Sequence, residues 1–534
     1  MKRKLAHLKG RVDSKTIVFG CIFLFFIFSI LCPIISMLAR ITTEGLETMF
    51  TSPQFTSAIM NSLSTALVAT IISVVLALAI AWAMERTDIR LKAFFSIAFV
   101  VPMLIPSISH AFGLVALLGR NGLITKLLGL DITIYGFWGI VIGSIMYSFP
   151  IAFLMFSSIL HYEDGTPYQA AEVLGIDRRH RFTGITLPFL KKTIISASFA
   201  VFAMIVTDYG VPLMIGGDVT TLSVLMFNKA AAMLDYDTGS VIGAVLLIPA
   251  IAAFVVDLLN PENAEASFVS NAVELEKSLA SKIISYVLCF VVLICVLAPI
   301  VAFCVMVFET KYPVDPTPTL YHVEKTMGRG AGEFLSNSLI YAVLTAIFGT
   351  FVAFTSAYMT TRMKGKFGKA LHMVSLTTMA IPGLVLGLAY VIFFHDQPIY
   401  GTLFIIVFVN SIHFFASPYL MMYNALGKVN PNLEAVGASL GVSRIRIIID
   451  VIVPKVKYSL YEMAVYFFVN SMMTISAVAF LAPPSPKPLA LMVTQFEAQL
   501  LMESAAFVSL LIFVINLAVK VIFYFVQRKK EKAE

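Results

Sequence analysis

Long uninterrupted apolar runs dominate this chain of 534 residues, and they leave few folds open. Each run exceeds the ~18–20 residues that carry a helix across a bilayer. The runs are continuous, not alternating, so a membrane barrel of strands does not fit. Only 13% of residues are charged, against about 25% in soluble domains. Such a chain buries its apolar surface in lipid, not in one oversized soluble core.

About twelve spans are predicted from this pattern. They cover 16–39, 56–84, 93–118, 137–160, 193–215, 239–258, 282–307, 334–360, 370–394, 402–423, 458–482 and 505–526. The first is read as a retained span because it is too long for a cleaved signal. The fold class is an all-α polytopic membrane protein in two homologous six-helix halves. The domains are a basic segment with the first span (1–55), a first transmembrane domain (56–258), a cytoplasmic linker with the seventh span and an outer loop (259–333), a second transmembrane domain (334–526) and a basic tail (527–534).

Loop charge gives the orientation. Lys2, Arg3, Lys4, Lys9, Arg11 and Lys15 precede the first span. Arg362, Lys364, Lys366 and Lys369 follow the eighth, and Arg528, Lys529, Lys530 and Lys532 end the chain. With twelve spans all three clusters share one side, which the positive-inside rule makes cytoplasmic. Both termini are then cytoplasmic. The net charge of +7 has the same origin, so it does not argue for nucleic acid as a partner. The linker 257–282 is acidic, with Asp257, Glu262, Glu265, Glu274 and Glu276, but acids count little in this rule.

The halves repeat in detail. Asn61-Ser62-Leu63 returns as Asn337-Ser338-Leu339, and Ile105-Pro106 as Ile381-Pro382. Two polar loops repeat as well. Gln169-Ala170-Ala171 is followed by Gly175 and then Ile185-Thr186-Leu187-Pro188. Ala435-Val436-Gly437 is followed by Gly441 and then Val451-Ile452-Val453-Pro454. Glycine precedes proline by thirteen residues in both. Each loop reads as a short helix, a glycine turn and a second helix entered near the proline. The small residues at 170–171 and 437–439 would leave a low surface that another protein can approach.

These loops resemble the EAA loop of ABC importer permeases: Glu-Ala-Ala, three residues, Gly, nine residues, Ile-x-Leu-Pro. Gln169 replaces the first Glu, and in the second copy Ala435, Val436 and Gly437 stand at the Glu-Ala-Ala positions, with Glu434 one place early. The chain is similar in particular to the fused permeases of the ferric iron group, which also includes aminoethylphosphonate and thiamine permeases. Thr207-Asp208-Tyr209-Gly210-Val211-Pro212 looks like that group's fifth-span signature, and Met473-Thr474-Ile475-Ser476 stands opposite in the second half. The resemblance implies two ATPase subunits docked on the loops, an extracytoplasmic solute-binding protein, and a bacterial plasma-membrane location. It implies no cofactor on this chain, with ATP held by the partner ATPase, and ferric iron as the first substrate.

Candidate pathway residues are Asp208, Tyr209, Pro106, Pro382 and Thr474. An acid at bilayer depth faces a cavity or a partner. Asp208 is therefore a pathway residue, or else span five ends early and it lies near the outer surface. Pro106 and Pro382 kink their spans. His110 and His413 read as helix-packing residues, not metal ligands. The chain has no phosphate-cradling Gly-x-x-x-x-Gly-Lys-[Ser/Thr] loop and no clustered catalytic constellation. It is therefore not read as an enzyme. The rival to an ATP-driven importer is an ion-coupled secondary transporter using a residue such as Asp208.

Overall fold

The structure, a computed structural model, describes residues 14–129, 133–259, 273, 275, 278–363, 365–482 and 487–531. Most of the linker acids, Lys364 and the Pro483-Pro484 pair lie outside the described residues. The helices used below are numbered in chain order. The first half holds α1 (Thr16–Leu38), α2 (Pro53–Arg86), α3 (Lys92–Leu104), α4 (Ser107–Leu118), α5 (Phe137–His161), α6 (Thr166–Val173), α7 (Leu187–Thr207), α8 (Gly210–Ile215), α9 (Leu222–Ala232) and α10 (Tyr236–Leu259). The second holds α11 (Leu279–Phe308), α12 (Gly332–Arg362), α13 (Lys366–Ala380), α14 (Gly383–Phe394), α15 (Leu403–His413), α16 (Ala416–Gly427), α17 (Asn432–Ser439), α18 (Val453–Met473), α19 (Ala490–Ala498) and α20 (Met502–Glu531). Sheet among the described residues is one hairpin, Glu309–Lys311 with Asp315–Pro318.

Nine helices among the described residues are long and apolar enough to cross a membrane, or eleven if each bent pair is one crossing. The predicted eleventh span becomes α18, whose first half carries Lys455, Lys457 and Glu462. Those charges keep its apolarity below that of the others.

Breaks differ from the predicted kinks. Span three, expected over 93–118, is two helices that part at Ile105-Pro106, with Pro106 at the N-terminus of α4. Span nine parts at Ile381-Pro382, and α13 and α14 meet at 103°. A residue before proline is driven out of the helical region, and Ile105 and Ile381 are both extended. Span ten bends by 57° between α15 and α16, where Pro418 leaves the Phe414 carbonyl four residues back without its helical partner. Spans five and eleven stop early, at Thr207 and Met473.

The halves interlock. α1 packs on α14 of the other half, and α11 packs on α4. The first crossing is fixed by Tyr390, whose hydroxyl donates to the Ser29 carbonyl at 2.7 Å. At the second, a Cβ added to Gly113 would stand 2.2 Å from Pro299 Cβ. The last helix of each half crosses too. α10 packs on α14, and Asn516 of α20 donates to the Leu104 carbonyl at 3.0 Å.

Cysteines follow the lipid surface more than the core. Cys289 is buried, whereas Cys21 and Cys295 are exposed on the flanks of α1 and α11.

Candidate functional site

The two repeated loops have the same backbone bonds. Asp164 Oδ1 accepts the Thr166 N–H at 3.2 Å, and Asn430 Oδ1 accepts the Asn432 N–H at 2.9 Å. These side-chain turns start α6 and α17. Each helix ends on a left-handed glycine, Gly175 at φ 71° and Gly441 at φ 73°. The Ile176 N–H then returns to the Ala171 carbonyl, and the Val442 N–H to the Gly437 carbonyl, both at 2.9 Å. This is the glycine-terminated helix end, in which any other residue costs about 1–2 kcal/mol.

The proline end differs from the expected helix start. The chain is already helical from Arg178 and Arg444, and a wide π-turn follows at Phe182–Thr186 and Ile448–Ile452. Pro188 and Pro454 come just after it, where the wider turn relieves the clash between the ring and the carbonyl four residues back.

The small residues divide. Ala170, Ala438 and Ser439 are exposed, whereas Ala171 is buried and a Cβ on Gly437 would meet Ile447 Cδ1 at 2.3 Å. Gly437 thus seats α17 on its own second helix. Gln169, Ala170, Ala435 and Val436 are exposed. The outward faces are apolar: Val173 is 88% exposed and Leu174 75%, while Leu440 is 74% and Ile445 71%. Contiguous exposed apolar surface on a polar loop marks a contact site. At the first loop the His180 imidazole beside Asp177 holds that carboxyl below its usual value.

An arginine anchors each loop. Arg86, the last residue of α2, pairs with Glu163 and donates to the Leu160 carbonyl at 3.2 Å. The other oxygen of Glu163 accepts the Tyr168 hydroxyl at 2.5 Å, which carries the hold onto α6. Arg362, the last residue of α12, donates to Glu434 at 2.7 Å and to the Val429 carbonyl at 3.3 Å. Glu434 lies on α17 itself. All four side chains are at most 13% exposed. Removing one partner of such a buried pair costs about 3–5 kcal/mol. Sequence reasoning missed both pairs because their members are more than 70 residues apart.

A cavity of about 480 Å³ lies between the halves, walled by α5, α7 and α10 on one side and by the α13–α14 break on the other. Asp208, Pro382 and Ser476 are on its wall. Asp208 Oδ1 accepts the Ser107 hydroxyl at 2.6 Å, and Oδ2 accepts the Val211 N–H at 2.9 Å. Its carboxylate thus ties the first turn of α4 to α8. Thr474 stands at the matching break, buried, with a backbone of the same extended kind. Tyr209 is behind the wall at 1% exposure, and its hydroxyl donates to the Ile475 carbonyl of the other half at 3.4 Å. Pro106 is buried at the head of α4.

The cavity also gathers residues that were not predicted: Tyr147, Asp257 and Ser476. Asp257 had been counted only as a linker acid. His413 is on the wall with Nδ1 lacking a hydrogen-bond partner, while His110 packs against Tyr147 at 6.0 Å between ring centroids. No cluster of three or more potential metal-binding side chains occurs among the described residues.

Two interlocked helical halves with matched loops at one end and a cavity between them define a membrane permease built on an internal repeat. The chain matches the family model of the binding-protein-dependent transport system inner membrane component over residues 77–261 and 345–532, and it belongs to that family, the type I permeases of ABC importers. It is similar, at 26% identity over 505 residues, to a Haemophilus influenzae protein named as a candidate ferric transport system permease, covering 89% of this chain and 80% of that one. It is 28% identical over 446 residues to the ferric transport system permease protein of Actinobacillus pleuropneumoniae, covering 79% of this chain and 64% of that one. Against the thiamine transport system permease protein of Escherichia coli it is 23% identical over 367 residues, with 65% and 66% covered.

Proposed function

We propose that this chain is the permease subunit of an ATP-driven importer of ferric iron in a bacterial plasma membrane. Two ATPase subunits seat on the loops of α6 and α17, each meeting one loop, and ATP is bound and hydrolysed there. A solute-binding protein delivers iron to the opposite face. The loop end is cytoplasmic by the charge argument.

The observation that carries this reading is the duplicated loop, with the same turn, glycine, returning bond and π-turn in both halves. Its exposed leucines and valines supply a face for a partner of pseudo-twofold symmetry. The named ferric relatives support iron as the solute. The cavity wall, with Asp208 and Asp257 and no lysine or arginine among its residues, favours a cation over an oxyanion. Thiamine, also a cation, is the second reading, on the strength of the thiamine permeases. Asp208, Tyr209, Pro106, Pro382 and Thr474 form the wall and gate of the pathway in this reading.

The test is purification of the chain in mild detergent with its bound proteins, followed by uptake of radiolabelled ferric iron and thiamine. A co-purifying ATPase and ATP-dependent iron uptake are the expected outcome. Uptake that follows a proton or sodium gradient without an ATPase would sink the proposal.

A further inference from the structure

Both α2 and α12 are held at both ends, and the holds match. At the loop end Arg86 pairs with Glu163 and Arg362 with Glu434. At the other end Ser62 Oγ accepts the Leu222 N–H at 2.7 Å, and Ser338 Oγ accepts the Leu489 N–H at 2.6 Å. Asn61 adds a bond to the Thr220 carbonyl at 3.0 Å. Those N–H groups open α9 and α19. Serine and arginine are 24 residues apart in both halves, which is about 36 Å of helix.

The helices between these holds are stiff. α5, α10 and α11 each carry an internal proline, and α2 and α12 carry none. A helix without proline lacks the usual site of a sharp kink.

The far hold of α2 leads to the break between the halves. From α9, Ser223 donates to the Asp208 carbonyl at 2.7 Å, and the Phe227 ring stacks on Tyr209 at 4.9 Å between centroids. Phe227 also lies 6.1 Å from Phe480 of the other half. In the first half the loop, the arginine pair, the long helix, the serine bond and the break therefore form one unbroken series of contacts, and in the second half the matching series runs from the loop to the head of α19.

We propose that α2 is a push rod that carries the movement of the first loop to α9, and so to the break at Tyr209 and Ile475, with α12 the matching rod from the second loop to α19. Arg86 and Arg362 are the positioning residues at the loop ends. This rests on the loops being ATPase seats. It also assigns Glu434 to a bond within the chain, so Glu434 is not the acid offered to the ATPase.

The experiment uses the purified complex in lipid vesicles and reads three quantities: ATPase retained, ATP hydrolysed, and radiolabelled ferric iron taken up per ATP. Arg86→Ala should keep the ATPase bound and hydrolysing while uptake per ATP falls about tenfold or more. The charge exchange Arg86→Glu with Glu163→Arg should recover most of that loss, which a simple folding defect would not do. Ser62→Ala, far from the loop, should lower uptake per ATP about threefold with ATPase binding intact. Unchanged uptake per ATP in Arg86→Ala would overturn the rod. Loss of ATPase binding in that variant would reduce the arginine to a shaper of the docking face and also overturn it. Full coupling in Ser62→Ala beside an uncoupled Arg86→Ala would break the rod at its far end. If the unmutated chain retains no ATPase, the docking reading itself falls, and the rod with it.

Discussion

The two halves share a plan and differ at the break that faces the cavity. In the first half Asp208 is a charged pin between α4 and α8. In the second, Thr474 occupies that place without a carboxylate. The neighbouring small residues are exchanged. Ser107 lies against Gly210, where a Cβ would come within 2.6 Å of the serine oxygen. Gly383 lies against Ser476, where a Cβ would come within 2.5 Å. One hydroxyl fills each joint, contributed from opposite sides. The difference teaches that the joint needs a fixed volume, while the charge belongs to one half only. In the pinned half α5 runs through its internal Pro150 as one helix, whereas the unpinned half has the bent pair α15–α16. One side of the cavity is braced, and the other is built to give.

The comparison can be tested by degrees. Gly175→Arg with Gly441→Arg blocks both seats and strains both helix ends, and uptake should fall about a hundredfold or more with the chain still folded. Uptake assays with a monodispersity check read this. Near-normal transport would deny the loops their matched role. Asp208→Asn can keep both contacts, its Oδ1 accepting from Val211 and its amide N–H donating to Ser107, but it removes the charge and should lower transport about tenfold. Thr474→Val should change transport less than about twofold. Equal losses would erase the asymmetry. Gly113→Ala presses a methyl onto Pro299 and should lower thermal stability by about 1–3 kcal/mol. Ala389→Gly, the matching site under α1, should cost about 0.5–1 kcal/mol. Both are read from melting curves in detergent. Finally, Gly383→Ser should destabilise by about 1–3 kcal/mol, because its Cβ meets both the Ser476 hydroxyl and the His413 ring, and adding Ser476→Gly should restore part of the loss. No recovery at all would show the exchanged pair to be coincidence.

The helical membrane fold and the paired loops were legible because both are local signals. Apolar runs mark spans, and a glycine thirteen residues before a proline repeats in plain view. Pro106 and Pro382 were legible as disruptions, but not as ends of separate helices, since proline alone does not set a bend of 103°. The bend at Phe414-Phe415 had its mark in Pro418, which cannot donate to the Phe414 carbonyl, but a proline shows its break four residues upstream of itself. Asp208 was visible as an anomaly, and its bonds to Ser107 and Val211 were not. Arg362 looked like one of a cluster of cytoplasmic charges, and Arg86 did not stand out at all. Their partners are set by how spans pack, which no short window contains.

The crossed outer helices have a consequence for the chain as a single polypeptide. α1 lies on the far half and α11 on the near one, like two hands that each grip the other wrist. A force that turns one half is passed directly to the other, whatever joins them in sequence. A chain cut between α10 and α11 should still purify as one complex.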